Sequence, residues 1–117
     1  PNRVQNTGNK DYLNFSITGI NLLGDTSSGT MIPAANFTVS NYTSTGSAPL
    51  ECTNSSVRGT RLVNGTAVNV EGANTTRSAQ SNNSIYFCLT HVPLALTTQT
   101  YSTGGTPNEE DWTIAAS

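Results

Sequence analysis

The chain has 117 residues, 34% hydrophobic and 10% charged, with a formal charge of -2. That length suits one domain able to bury roughly two-thirds of its unfolded surface, and the shortfall in charge, against a usual share of about 25%, is filled by Ser, Thr and Asn. Arg3, Lys10, Arg58, Arg61 and Arg77 are scattered rather than clustered, and no apolar run nears the ~20 residues that span a bilayer, so neither a nucleic-acid partner nor a membrane span is expected.

The first patterned element lies at 13–17, where Leu13, Phe15 and Ile17 alternate with Asn14, Ser16 and Thr18. A period of two is that of a strand with one buried and one wet face. After Gly19 the apolar parity shifts to Ile20 and Leu22, and a glycine at such a break marks a bulge or bend that re-aims the strand. Phe37 and Val39 repeat the alternation after Pro33. Val63-Asn64-Gly65-Thr66 places Asn-Gly between short apolar runs, the sequence of a tight hairpin turn, and predicts pairing of residues near 60–63 with residues near 66–70. Val68 and Val70, then Ile85, Phe87 and Leu89, and finally Trp112, Ile114 and Ala116 complete the series. Helical spacing never persists for three turns, because Gly, Pro and β-branched residues interrupt every window.

Polar stretches at 24–29, 44–49, 72–84 and 104–110 read as surface connections. The fold class is therefore all-β, an antiparallel β-sandwich, immunoglobulin-like or jelly roll, of seven to eight strands in one domain over residues 1–117. Its expected core is Leu13, Phe15, Ile17, Phe37, Val39, Ile85, Phe87, Leu89, Trp112 and Ile114. Only residues 1–5 precede the Asn6-Thr7-Gly8-Asn9 turn, and Pro1 cannot donate a backbone hydrogen bond, so this segment offers at most a very short edge strand. Three readings stay open for the first strand: truncation of a larger protein, a domain that does without it, or a strand supplied by another subunit.

A surface of hydroxyls and amides suits an extracellular protein better than a cytosolic one, which normally stays soluble with Lys and Glu. Cys52 and Cys88 fit that location. In an oxidising compartment one bridge between them would contribute about 3 to 4 kcal/mol in the chain-entropy model, whereas in a reducing cell they would be two buried thiols. The acceptor pattern Asn-x-Ser/Thr recurs at Asn14, Asn36, Asn41, Asn54, Asn64, Asn74 and Asn82. Asn14 and Asn36 fall on the polar parity of their strands, Asn64 in the hairpin turn, and Asn54, Asn74 and Asn82 in polar connections, where N-linked glycans could project into solvent.

No catalytic residue, cofactor site or metal site is expected. His91 is the sole histidine, and no G-x-S-x-G elbow accompanies it. Glu109, Glu110 and Asp111 lack the alternating oxygen ligands of a calcium loop. Glu51, Glu71, Asp11 and Asp25 sit in or near polar connections, with nothing to oppose two of them as a glycosidase requires.

Asn6-Thr7-Gly8-Asn9 opening the strand at 13–17, then Met31-Ile32-Pro33, Tyr86-Phe87-Cys88-Leu89, Val92-Pro93, Tyr101 and Trp112-Thr113-Ile114, resembles the immunoglobulin-like β-sandwich modules of archaeal secreted and cell-surface proteins. More loosely, the arrangement is similar to camelysin and TasA-like fibre subunits, whose jelly rolls polymerise by strand donation. It departs from those modules in the long insert at 72–84 and in the strand before Asn6, which is nearly absent. The resemblance implies a non-enzymatic structural subunit of a filament or cell-surface coat, self-associating into a homopolymer. A glycosylated adhesin binding through loop aromatics, Tyr42 and Tyr101, is the alternative expectation.

Overall fold

The structure, a computed structural model, describes residues 2–27, 29–41, 59–70, 73, 75, 82–103 and 111–117, with Asn2 and Asn82 described by their backbone alone. Ten strands are present among these residues: β1 Asn2–Gln5, β2 Phe15–Gly19, β3 Leu22–Gly24, β4 Met31–Ile32, β5 Phe37–Ser40, β6 Thr60–Arg61, β7 Thr66–Asn69, β8 Asn82–Leu89, β9 Tyr101–Ser102 and β10 Thr113–Ala116, with one 3-10 turn at Ala34–Asn36. The fold is all-β and antiparallel. A four-stranded sheet in the order β1-β8-β5-β6 and a three-stranded sheet in the order β10-β2-β7 enclose the core, and a small sheet, β4-β3-β9, accounts for the strands beyond the expected seven to eight.

β2 alternates as its sequence dictates, with Phe15, Ile17 and Gly19 buried and Ser16 and Thr18 half-buried. Ile17, Val39, Leu62 and Ile85 are fully buried and Phe15 nearly so; Ala34, Val70 and Ala73 join them, and Val4, Tyr12, Phe37, Val68, Phe87 and Trp112 pack around the cluster. The edge of the Phe37 ring meets Trp112 at 5.0 Å with the planes at 89°, a favourable quadrupole arrangement that pins the Trp between the layers.

The chain breaks at Gly19 as its parity shift predicts. β2 ends there, and β3 begins three residues later in a different sheet. A Cβ on Gly19 would lie 2.7 Å from Cδ1 of the buried Leu62, so close approach, rather than a special backbone angle, demands glycine. The switch is fastened by Trp112 Nε1 donating to the Ile20 carbonyl at 2.9 Å and by the Asn21 N–H donating to Asn64 Oδ1 at 2.9 Å.

Several sequence expectations require correction. The hairpin at Asn64-Gly65 closes only through the Val63–Thr66 bridge. Its arms then part, β6 pairing with β5 and β7 with β2, so the turn joins two layers instead of two neighbours in one sheet. Nonlocal partners decide this, because Leu62 between the arms is drawn into the core. Leu13, Leu89 and Ile114, expected inside, are 74%, 39% and 43% exposed. Leu13 precedes β2 and Leu89 is the last residue of β8, both at the ends of their strands, while Ile114 lies on an edge strand. β8 starts at Asn82, so the connection predicted over 72–84 is shorter than expected. Residues 2–5 do form a short edge strand, β1, antiparallel to β8.

Candidate functional site

The region of greatest functional interest is built by β10. Its register on β2 runs from Thr113 opposite Thr18 to Ala116 opposite Phe15. Just beyond, Ser117 and Asn14 exchange N–H···O bonds of 3.0 Å in both directions. Antiparallel pairs alternate between bonded and non-bonded, so Ala115 and Thr113 bond to β2, while the N–H and C=O groups of Ile114 and Ala116 point away from the sheet. Val70 N–H donating to Phe15 O at 2.7 Å agrees, because it shows the odd residues of β2 facing β7. The outward edge of β10 therefore carries donors and acceptors that no described residue meets, and its four residues, Thr-Ile-Ala-Ala, are all exposed and uncharged.

Two recesses flank this edge. One, of about 300 Å³, is lined by Ile17, Phe87, Trp112, Thr113 and Ile114. The other, also about 300 Å³, is bounded by Val4 and Gln5 of β1, by the Asn6–Gly8 turn, and by Tyr12, Phe15, Thr75 and Ala116. The turn beside the second is tied by the Asn6 side chain. Asn6 Oδ1 accepts from the Gly8 N–H at 2.9 Å and its Nδ2 donates to Lys10 O at 2.8 Å. Thr75 Oγ1, in a residue 2% exposed, has no hydrogen-bond partner. Sequence reasoning missed this site, since the alternation of Trp112, Ile114 and Ala116 identifies a face and not whether anything lies beside it.

Cys88 is buried and disulfide-bonded; Cys52 lies outside the described residues. Thr38, directly opposite Cys88, is 7% exposed, and its Oγ1 is a second buried hydroxyl without a partner. Of the acceptor asparagines, Asn14 and Asn64 are exposed, and Asn64 Oδ1 accepts from Asn21 while no described residue bonds its Nδ2. Asn36 Nδ2 donates to His91 O at 2.9 Å and Asn41 Nδ2 donates to Asn83 Oδ1, so these two amides are engaged. Asn54 and Asn74 lie outside the described residues, as does the side chain of Asn82. The four described acceptors thus lie before β2, in the 3-10 turn, after β5 and in the β6–β7 turn.

Of the two aromatics considered for loop-borne recognition, Tyr42 lies outside the described residues. Tyr101 is on β9, half-buried, its hydroxyl donating to Thr97 O at 2.9 Å. Desolvation acts to raise its pKa, but hydrogen bonds with Thr30, Thr97 and Gln99 outweigh it and hold the phenol below its ordinary value of 10.0. Gln99 organises the neighbourhood, with Oε1 accepting from the N–H groups of Thr26 and Ser27 and Nε2 donating to Thr30 and Thr97. Tyr101 is therefore a strut in this network. Among the described residues no group of three or more His, Cys, Asp or Glu could hold a metal ion, and no helix is long and apolar enough to cross a membrane.

No family model matches the chain, and no curated protein or solved structure matches it either.

Proposed function

We infer that the protein is a non-enzymatic structural subunit of an extracellular filament or cell-surface coat, assembling through β-strand addition between identical copies. The observation that carries this reading is the outer edge of β10, which no described residue pairs. An unpaired strand edge is a template for another chain, and soluble proteins normally blunt it with charge, proline or a covering loop. The edge of β1 carries Arg3, whereas β10 has no charge at all. Cys88 in a disulfide supports an oxidising compartment. The hydroxyl- and amide-rich composition and the exposed acceptors Asn14 and Asn64 suit a glycosylated surface, and the resemblance to archaeal cell-surface modules points the same way.

Electron microscopy of the untagged protein over a range of concentrations tests the reading. Filaments or ordered arrays with a regular subunit repeat are expected. Isolated particles at every concentration would sink it and favour a monomeric adhesin.

A further inference from the structure

The two facing sheets are unequal. At one side they are joined through the Asn64-Gly65 turn between β6 and β7. From that corner the strand orders set β5 over β2 and β8 over β10, in keeping with the recess that Phe87 shares with Ile17 and Ile114. β1 then has no counterpart among the described residues, and Val4 looks over the recess beside Ala116. Among the described residues the three-stranded sheet is one strand short, and the gap coincides with the N–H and C=O groups of Ile114 and Ala116 that no described residue meets.

The gap also limits what can enter. A second folded sheet set against β10 would bring its own covering layer into collision with β1, so the slot admits one extended segment and no more. This segment must be uncharged, must place side chains on alternate residues into the two recesses, and must present N–H and C=O groups at those same residues.

One stretch of the chain has this chemistry. Between β8 and β9, residues 92–96 read Val-Pro-Leu-Ala-Leu, with no strand pairing, and Leu94 is 102% and Val92 52% exposed. The stretch is anchored on both sides, by Thr90 on Asn36 and by the Thr97–Gln99–Tyr101 network, while inside it runs one long bond, Leu96 N–H to Pro93 O at 3.4 Å. A bond of that length resists little when the stretch is drawn straight.

We propose that residues 92–94 of one copy occupy the slot beside β10 of the next, antiparallel to it, with Leu94 opposite Ile114 and Val92 opposite Ala116. Paired residues share a face and exchange bonds, so Val92 and Leu94 place their side chains inward and their backbone groups on β10. Leu94 fills the recess of Ile17, Phe87 and Trp112, and the shorter Val92 covers the one beside Ala116. Pro93 falls where its missing N–H points away from β10, the position in which a strand tolerates proline, and there it ends the sheet. The contact is heterologous. Each copy keeps an open slot and an unused loop, so the assembly grows as a chain instead of closing as a dimer.

The proposal rests on the assembly reading, and a pair of variants separates the two. Leu94→Asp disables the loop and Ile114→Asp the slot; both side chains are solvent-accessible, and melting temperatures verify that the variants fold. By sedimentation, native protein should assemble, and each variant alone should self-associate about a hundredfold or more weaker, as expected for an anchor residue. Their equimolar mixture should form dimers and stop, since one intact loop meets one intact slot. Ala116→Pro removes an N–H that no described residue accepts and should block the slot without adding charge. If native protein assembles while Leu94→Asp assembles equally well, or while Ile114→Asp or Ala116→Pro does, the loop-in-slot contact is wrong and the assembly reading stands. If native protein never associates, both fall.

Discussion

At the β6–β7 corner Leu62 is fully buried and its backbone N–H donates to Phe37 O at 3.0 Å, whereas on the opposite side Ile114 is 43% exposed with its backbone groups turned outward. The two sides draw on the same hydrophobic and hydroxyl residues, so composition does not separate them. What separates them is whether the chain turns from one layer into the other. Where Asn64-Gly65 makes that turn, Leu62 and Val70 are buried between the layers. Where no described segment makes it, a strand of sound β pattern is left with one neighbour, and its apolar face meets water.

The largest test of this contrast is Leu62→Ala. Removing a fully buried leucine loses its transfer energy and leaves a cavity among rigid neighbours, a cost of about 2–5 kcal/mol, to be read from the midpoint of urea unfolding. A cost under about 1 kcal/mol would mean that the corner is loosely packed and no better closed than the β10 side. Gly59→Ala comes next and probes the backbone at the same corner. Gly59 has φ +121°, and a Cβ there would lie 2.6 Å from Val39 O. Left-handed strain and a backbone clash together should destabilise by about 1–3 kcal/mol in the same assay, and a neutral result would show that β5 and β6 can separate without loss.

Much of this architecture is legible in the sequence, and the illegible parts share a cause. Phe15 and Ile17 announce a half-buried strand, Gly19 announces its end, and Asn64-Gly65 announces a turn, because each signal is local. The arms of that turn go to different sheets because Leu62 and Phe37 find each other across a long stretch of chain, and no local pattern encodes such a choice. Leu13, Leu89 and Ile114 follow the apolar alternation of the sequence around them and are still exposed. Parity specifies a face, and only the length and placement of the opposing layer decide whether that face is covered. The sequons behave likewise, since Asn36 and Asn64 are alike in sequence, yet one amide nitrogen is bonded to His91 O and the other is open.

The smallest expected effect is the sharpest comparison, because it uses two identical residues. Ile17 and Ile114 are direct cross-strand partners on the same face of one sheet, the first fully buried and the second 43% exposed. Ile17→Ala should cost about 2–5 kcal/mol as a core truncation. Ile114→Ala removes methylenes that are only partly shielded and opens no new enclosed cavity, so about 1 kcal/mol is expected in dilute protein. Concentration then discriminates. A ligand that binds only the folded state adds stability by mass action, and a strand from a neighbouring copy is such a ligand. Native protein should therefore melt higher as concentration rises and Ile114→Ala should gain less, widening the gap between them. A gap that stays at its dilute value would leave the exposed face of β10 a mere margin of the sheet, with nothing docking on it.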